Sequence, residues 1–200
     1  DALPIFKVCI ENVKGQTYKN LDILVVNNGS TDGTTEYLAA QTDIKVINQN
    51  NLGGAGGFYA GMKYMMDNGY DWLWMMDDDG VPDSNQLETL LAFNKKTGYA
   101  FLNALVIDKS DHKKFAFGPL NGHRYVYVDE VTGNEDFNVM IHPFNGTFIK
   151  RNVIEKIPFR LLTLYLLFFI EFELLHFVTI SNWNIENIQN FFKHEVFVLL

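Results

Sequence analysis

Residues 72–76, Trp-Leu-Trp-Met-Met, form an unbroken run of large apolar side chains that leads straight into Asp77, Asp78 and Asp79. The run lacks the two-residue alternation of a strand with one wet face. Both of its faces must therefore be covered, as in an interior strand of a parallel sheet. Gly80 and Pro82 supply the stop. The three acids thus sit at the carboxyl end of a buried strand, the edge where open α/β sheets bind ligands. Adjacent carboxylates repel each other unless water or a cation offsets them. Hard divalent ions take oxygen ligands, commonly one or two carboxylates together with phosphate oxygens. An isolated acidic triplet is more often a solvated turn; a metal–diphosphate site needs support from the rest of the chain.

That support comes from repetition of the same pattern. Residues 21–26 (LDILVV) read as a buried strand that runs into Asn-Asn-Gly-Ser-Thr-Asp-Gly-Thr, followed by a short helix over residues 34–40. Residues 44–47 read as a second strand, ending in the Asn- and Gly-rich stretch 48–57. Phe58, Met62, Met65 and Met66 then recur at helical spacing, which makes them core residues of a helix closing before Asn68 and Gly69. After the third strand, Asp83 or Ser84 can cap a helix that runs to about Phe93. Residues 99–107 and 124–128 read as later strands, with a hairpin turn at Thr132, Gly133 and Asn134. Strands alternating with helices predict an α/β fold with a mostly parallel central sheet flanked by helices. In such a sheet the loops 27–33, 48–57 and 77–80 share one edge. Together they bring amide side chains suited to a base or ribose, glycine backbone for close approach to phosphate, and carboxylates for a metal.

Bulk properties narrow the function. Two hundred residues suit one domain, and a net charge of −8 argues against a nucleic-acid partner. Cys9 is the single cysteine, so no internal disulfide can form, which fits a reducing compartment. The amino-terminal residues lack the pattern of a signal peptide. The longest uncharged apolar run, residues 161–170, is half the roughly 20 residues a membrane span needs. The five histidines (His112, His123, His142, His176 and His194) are scattered and read as structural or exposed. Other nucleotide motifs fit poorly. Tyr59 stands where the last glycine of GxGxxG would be, and no GxxxxGK[ST] occurs.

The segments VVNNGSTDGT, NNLGGAGGF, WMMDDDGVPD and FNGTFIKRNVIEKI, in this order and spacing, resemble the inverting family 2 glycosyltransferases of the GT-A, Rossmann-like fold. The similarity covers roughly residues 11–157 and leans to the galactofuranosyltransferase and rhamnosyltransferase branch. The resemblance implies transfer of a sugar, galactofuranose or rhamnose, from a UDP-sugar or dTDP-sugar donor to a cell-surface glycan or lipid-linked glycan acceptor. It implies Mn²⁺ or Mg²⁺ held by Asp77 and Asp79, with Asp78 facing the ribose or the sugar. It places Asn27 against the base, Asn51, Gly53 and Gly54 on the nucleotide, and Phe144, Asn145 and Gly146 beside the transferred sugar. It also implies a cytoplasmic enzyme at the inner face of the plasma membrane, with peripheral membrane contact.

Two departures from the family pattern set further expectations. IFKVCIENVKGQTYKN resembles the helix that follows the family's first strand, so that strand is expected to be lacking. Beyond Ile157 the paired acids that supply the family's general base are absent. Only two basic residues, Arg160 and Lys193, accompany ten aromatics there. Glu171 and Glu173 are the nearest substitutes, Glu171 being the candidate base, although a Glu on an apolar helix more often marks its solvated face. The expected division is a nucleotide-sugar-binding core over residues 1–156 and an atypical apolar tail over 157–200. The tail reads as a truncated or out-of-frame end, or as an amphipathic segment on a membrane, against which its few basic residues argue. The alternatives to an active transferase are a nucleotide-sugar-binding fragment and a metal-dependent nucleotidyltransferase; the latter would carry basic residues in its phosphate loop.

Overall fold

The computed structural model describes residues 2–116, 119–121, 124–131, 138–139, 145–156 and 196–199. The chain begins with helix α1 (Leu3–Lys14), in which Phe6, Cys9, Ile10 and Val13 form one buried stripe. Strand β1 (Leu21–Asn28) and helix α2 (Thr34–Ala39) follow, then strand β2 (Ile44–Gln49) and helix α3 (Gly53–Asn68). Strand β3 (Trp72–Met75) is buried at every position, as its lack of alternation predicts. Helix α4 (Gln86–Thr97) and the short strand β4 (Phe101–Asn103) complete the alternating part.

The later segments are shorter than their apolar content suggests. Strands β5 (Pro119–Asn121), β6 (Arg124–Tyr125) and β7 (Asn138–Val139) make a small antiparallel sheet in the order β6-β5-β7. The strand expected over 124–128 stops at Tyr125. A 3₁₀ turn, Val128–Glu130, follows, with the Glu130 carboxylate accepting the Tyr127 N–H. The strand expected over 99–107 is confined to β4, and Ile107 makes an isolated bridge to Phe115. Strand β8 (Thr147–Lys150), helix α5 (Arg151–Ile154) and strand β9 (Val196–Leu199) close the described chain. The hairpin expected at 132–134 lies outside the described residues.

The main sheet has the order β2-β1-β9-β3-β8-β4. Its first four strands are mutually parallel, and β8 runs antiparallel between β3 and β4. Residues 196–199, expected within the apolar tail, form a central strand between β1 and β3. The first described element is a helix, as expected, and β9 occupies the position between the two strands.

Side chains alternate across this sheet and build two cores. Ile23, Val25, Trp72, Trp74 and Phe148 pack on one face with α1, α2 and α4. Leu24, Leu73, Met75 and Ile149 pack on the other with Met62 and Met65 of α3 and Ile154 of α5. Trp72 and Phe148 are fully buried and stack face to face, with ring centroids 4.3 Å apart. Each continuous apolar run thus feeds both layers, which is why it reads as unalternating.

Candidate functional site

Register decides where the polar loops fall. Asn28, at the end of β1, pairs with Gln49, at the end of β2. Met75, at the end of β3, is joined to β1 through Leu199, which pairs with both Met75 and Leu24. Met75 also pairs with Thr147, the first residue of the antiparallel β8. The loops after β1, β2 and β3 and the segment before β8 therefore meet at one edge of the sheet.

The acidic turn lies at the centre of that edge. Asp77 is half-buried; Asp78 and Asp79 are exposed. The Gly80 N–H donates to the Asp77 carbonyl at 3.1 Å and closes the turn. The chain around Asp78 strips part of its hydration and pushes its carboxyl above the usual range, an effect reinforced by the charges of Asp79 and then Asp32. Beneath the turn, the thiol of Cys9 lies 3.8 Å from the Asp77 carbonyl. Burial, followed by the fields of Asp78, Asp79 and Asp77, pushes this thiol up to about 12. Among the described residues, no ion pair reaches Asp78 or Asp79.

This donor set fits a hard divalent cation: oxygen atoms only, with negative charge in excess. No three His, Cys, Asp or Glu side chains among the described residues surround a common point. The turn can therefore offer one or two carboxylates, the number suited to an ion that takes its other ligands from phosphate and water.

The amides around the turn are organised by one another. Asn27 is buried. Its Nδ2 donates to Thr35 Oγ1 and Asn48 Oδ1, both at 2.9 Å, and its Oδ1 accepts the Ser30 N–H at 3.1 Å. The residue expected to meet a base thus holds the first loop against α2 and β2. Asp32 accepts both the N–H and the hydroxyl of Thr34 and fixes the start of α2. Asn51 is exposed, and its Oδ1 accepts the Gly53 N–H at 2.9 Å. Gly53 and Gly54 are exposed in the first turn of α3, with open space where a Cβ would stand. The glycine stretch expected as a loop is largely helical, because α3 begins at Gly53.

Asn145 and Gly146 stand beside the acidic turn. The Gly146 N–H donates to the Met75 carbonyl at 2.9 Å, and its carbonyl accepts the Ala104 N–H at 3.1 Å. A Cβ on Gly80 would lie 2.8 Å from Asn145 Oδ1, so a side chain at residue 80 would require the Asn145 amide to shift. Gly146 has φ +83°, the left-handed conformation that favours glycine. The structure thus brings together Asn27, Asn51, Gly53, Gly54, Asp77, Asp78, Asp79, Asn145 and Gly146 at one edge. Phe144 and Glu171 lie outside the described residues. Asn28, Asp32 and Cys9 are not among the site residues expected from the sequence. The doubled Asn at the end of the first strand was the one available hint for Asn28.

Known proteins match this architecture. The model of glycosyl transferase family 2 matches residues 3–158. Galactofuranosyltransferase GlfT1 of Mycobacterium tuberculosis is 32% identical over 143 residues, covering 68% of this chain and 47% of the relative. GlfT1 of Mycolicibacterium smegmatis is 33% identical over 111 residues, covering 54% and 37%. The chain thus spans at most about half the length of these curated relatives. Among solved structures, S. aureus TarS 1–349 in complex with UDP matches with a TM-score of 0.56 at 13% identity, covering 88% of this chain and 54% of TarS. That likeness carries the fold, and it agrees with the expected GT-A, Rossmann-like architecture. The match to the family model extends over most of the sequence, from α1 through α5 and including the acidic turn, and on it the chain belongs to glycosyl transferase family 2.

Proposed function

We propose that this chain is the donor-binding part of a metal-dependent, inverting glycosyltransferase that moves galactofuranose or rhamnose from a nucleotide-diphosphate sugar to a cell-surface glycan acceptor. The observation that carries the reading is the convergence of the acidic turn, the Asn- and Gly-rich turn and the Asn145–Gly146 turn on one sheet edge. The names of the curated relatives favour galactofuranose, and the UDP complex of TarS favours a uridine nucleotide.

In this reading Asp77 and Asp79 hold Mn²⁺ or Mg²⁺. When bound, the ion acts as a Lewis acid that offsets the charge appearing on the departing nucleoside diphosphate. Gly53 and Gly54 let the backbone of the second loop approach the nucleotide. Asp78 is directed to the ribose or the sugar, and Asn145 and Gly146 flank the sugar. Inversion at the anomeric carbon requires a base to take the proton of the acceptor hydroxyl. Glu171 is the candidate from sequence for that role. The acceptor is a glycan or lipid-linked glycan, met at the cytoplasmic face of the membrane.

Calorimetric titration of UDP, with and without Mn²⁺, on the wild type and on Asp79→Ala tests the donor site. The expected result is Mn²⁺-dependent binding that weakens about tenfold or more in the variant, as loss of a charge-assisted contact requires. Binding that ignores both the metal and the substitution would overturn the metal site. Binding without any transfer from a UDP-sugar would leave a nucleotide-sugar-binding protein and overturn the enzyme.

A further inference from the structure

The side chain of Asn28 has four polar neighbours, Gln49 at the end of β2 and Asn51, Leu52 and Gly53 in the turn that follows it. Its Oδ1 accepts the Leu52 N–H at 3.0 Å and the Gln49 Nε2 at 2.8 Å. Its Nδ2 donates to the Gly53 carbonyl at 3.0 Å and to Asn51 Oδ1 at 3.4 Å. Asn51 Oδ1 in turn accepts the Gly53 N–H. One primary amide thus joins the end of β1 to the turn that carries Asn51, Gly53 and Gly54.

We infer that Asn28 is a positioning residue, whose amide holds the glycine-rich start of α3 in the shape that receives the nucleotide. The inference rests on the donor-site reading above. Its physical content is specific to an amide. The oxygen side faces two donors and the nitrogen side faces two acceptors, an arrangement that a carboxylate of the same shape cannot satisfy. With Asp at this position, one carboxylate oxygen would face the Gly53 carbonyl and Asn51 Oδ1 with no proton between them. The first turn of α3 has little else to fix it locally. Four of its first five residues are glycines, which lose more backbone entropy in a helix than any other residue. Leu52, just before it, is exposed and supplies no side-chain cap.

The test uses Asn28→Asp and Asn28→Ala in the full chain, with two readouts. The first is hydrogen exchange at the Leu52 amide without ligand, which reports the turn whatever the site binds. Slow exchange in the wild type and faster exchange in both variants is expected. The second is UDP affinity in the presence of Mn²⁺ at pH 8 and pH 5. At pH 8, Asn28→Asp is expected to bind about tenfold or more weakly than wild type. The two acceptors that would face one carboxylate oxygen, the Gly53 carbonyl and Asn51 Oδ1, raise the pKa of a carboxyl placed there above its ordinary value, so at pH 5 part of it is protonated, regains one donor, and the ratio narrows. A residue that served folding alone would not move this ratio with pH. Unchanged Leu52 exchange in both variants would overturn the positioning role. Faster exchange with unchanged UDP affinity would overturn its link to the nucleotide. If the wild type binds no UDP, the donor-site reading fails and the positioning role with it as a functional claim, while Leu52 exchange still decides whether Asn28 holds the turn.

Discussion

At Asp78 the charge of the candidate site opposes folding. Its carboxyl is pushed up by lost hydration and by Asp79 and Asp32. A carboxyl with a higher pKa in the folded chain than in the unfolded one favours folding while it is protonated. That contribution is fully present below the unfolded pKa and is lost as the pH rises through the folded pKa. Asp78→Asn removes the charge at every pH. Without metal or nucleotide, the variant is therefore expected to melt above the wild type at pH 7, with the gap closing as the pH falls through the raised pKa and gone below the ordinary carboxylate range. Thermal denaturation over that range checks this, and a gap independent of pH would show that repulsion at the turn is not its origin. Acids at the end of an apolar strand are legible because strand and turn are both local signals. The roles of Asn27 and Asn28 are not. They lie on opposite faces of β1, Asn27 with Ile23 and Val25, Asn28 with Leu24 and Val26. Which helix covers which face is a tertiary fact, and it decides that Asn27 is turned toward α2 and Asn28 toward α3.

Among the elements, β1, β2 and β3 were readable because buried parallel strands are short, apolar and bounded by turn residues. The helices were readable in type and less so at their ends. From sequence the start of α3 reads as loop, because glycine disfavours helix by about 1 kcal/mol relative to alanine. In the structure, the side chains of Asn28 and Asn51 hold that turn. The start of α4 was expected to be capped by Asp83 or Ser84. Its N-cap is Asn85, with no side-chain cap of its own. The cap comes from Gln16, just beyond α1 and fully buried, whose Oε1 accepts the Leu87 N–H at 3.0 Å and whose Nε2 donates to the Asp83 carbonyl at 2.7 Å. A cap delivered from 71 residues away leaves no local signature. Gln16→Ala leaves a buried donor and a carbonyl without these partners, and a loss of about 1–3 kcal/mol in denaturant stability is expected. Because Gln16 Oε1 accepts the Leu87 N–H itself, the same substitution should increase hydrogen exchange at Leu87 before it affects β2. Equal exchange at Leu87 in variant and wild type would remove Gln16 from this role.

At the scale of the whole molecule, the sheet is held together by a strand that the sequence did not disclose. Val196–Leu199 is a short apolar run, and nothing local specifies its partners. In the structure it lies parallel to both β1 and β3, so among the described strands it is the one that joins, in the sheet, the strands carrying the first loop and the acidic turn. Adjacent strands are about 4.8 Å apart. The spacing between Asn28 and Asp77 is therefore set by β9, although β9 contributes no residue to the candidate site. Val198 pairs with Ile23 on one side and Trp74 on the other. Proline has no N–H to donate and is excluded from strands with neighbours on both sides. Val198→Pro in the full chain is thus expected to lower stability by about 2 kcal/mol or more, since a buried ladder partner loses its bond. Amide exchange should rise in β1 and β3 together, while the outer pair β8–β4 keeps its protection longer. An unchanged melting curve would mean that β1 and β3 are joined without β9. A rise confined to residues 196–199 would mean that the strand lies in the sheet without bearing its structure. A joint rise in β1 and β3 would tie the geometry of the candidate site to the last strand of the chain.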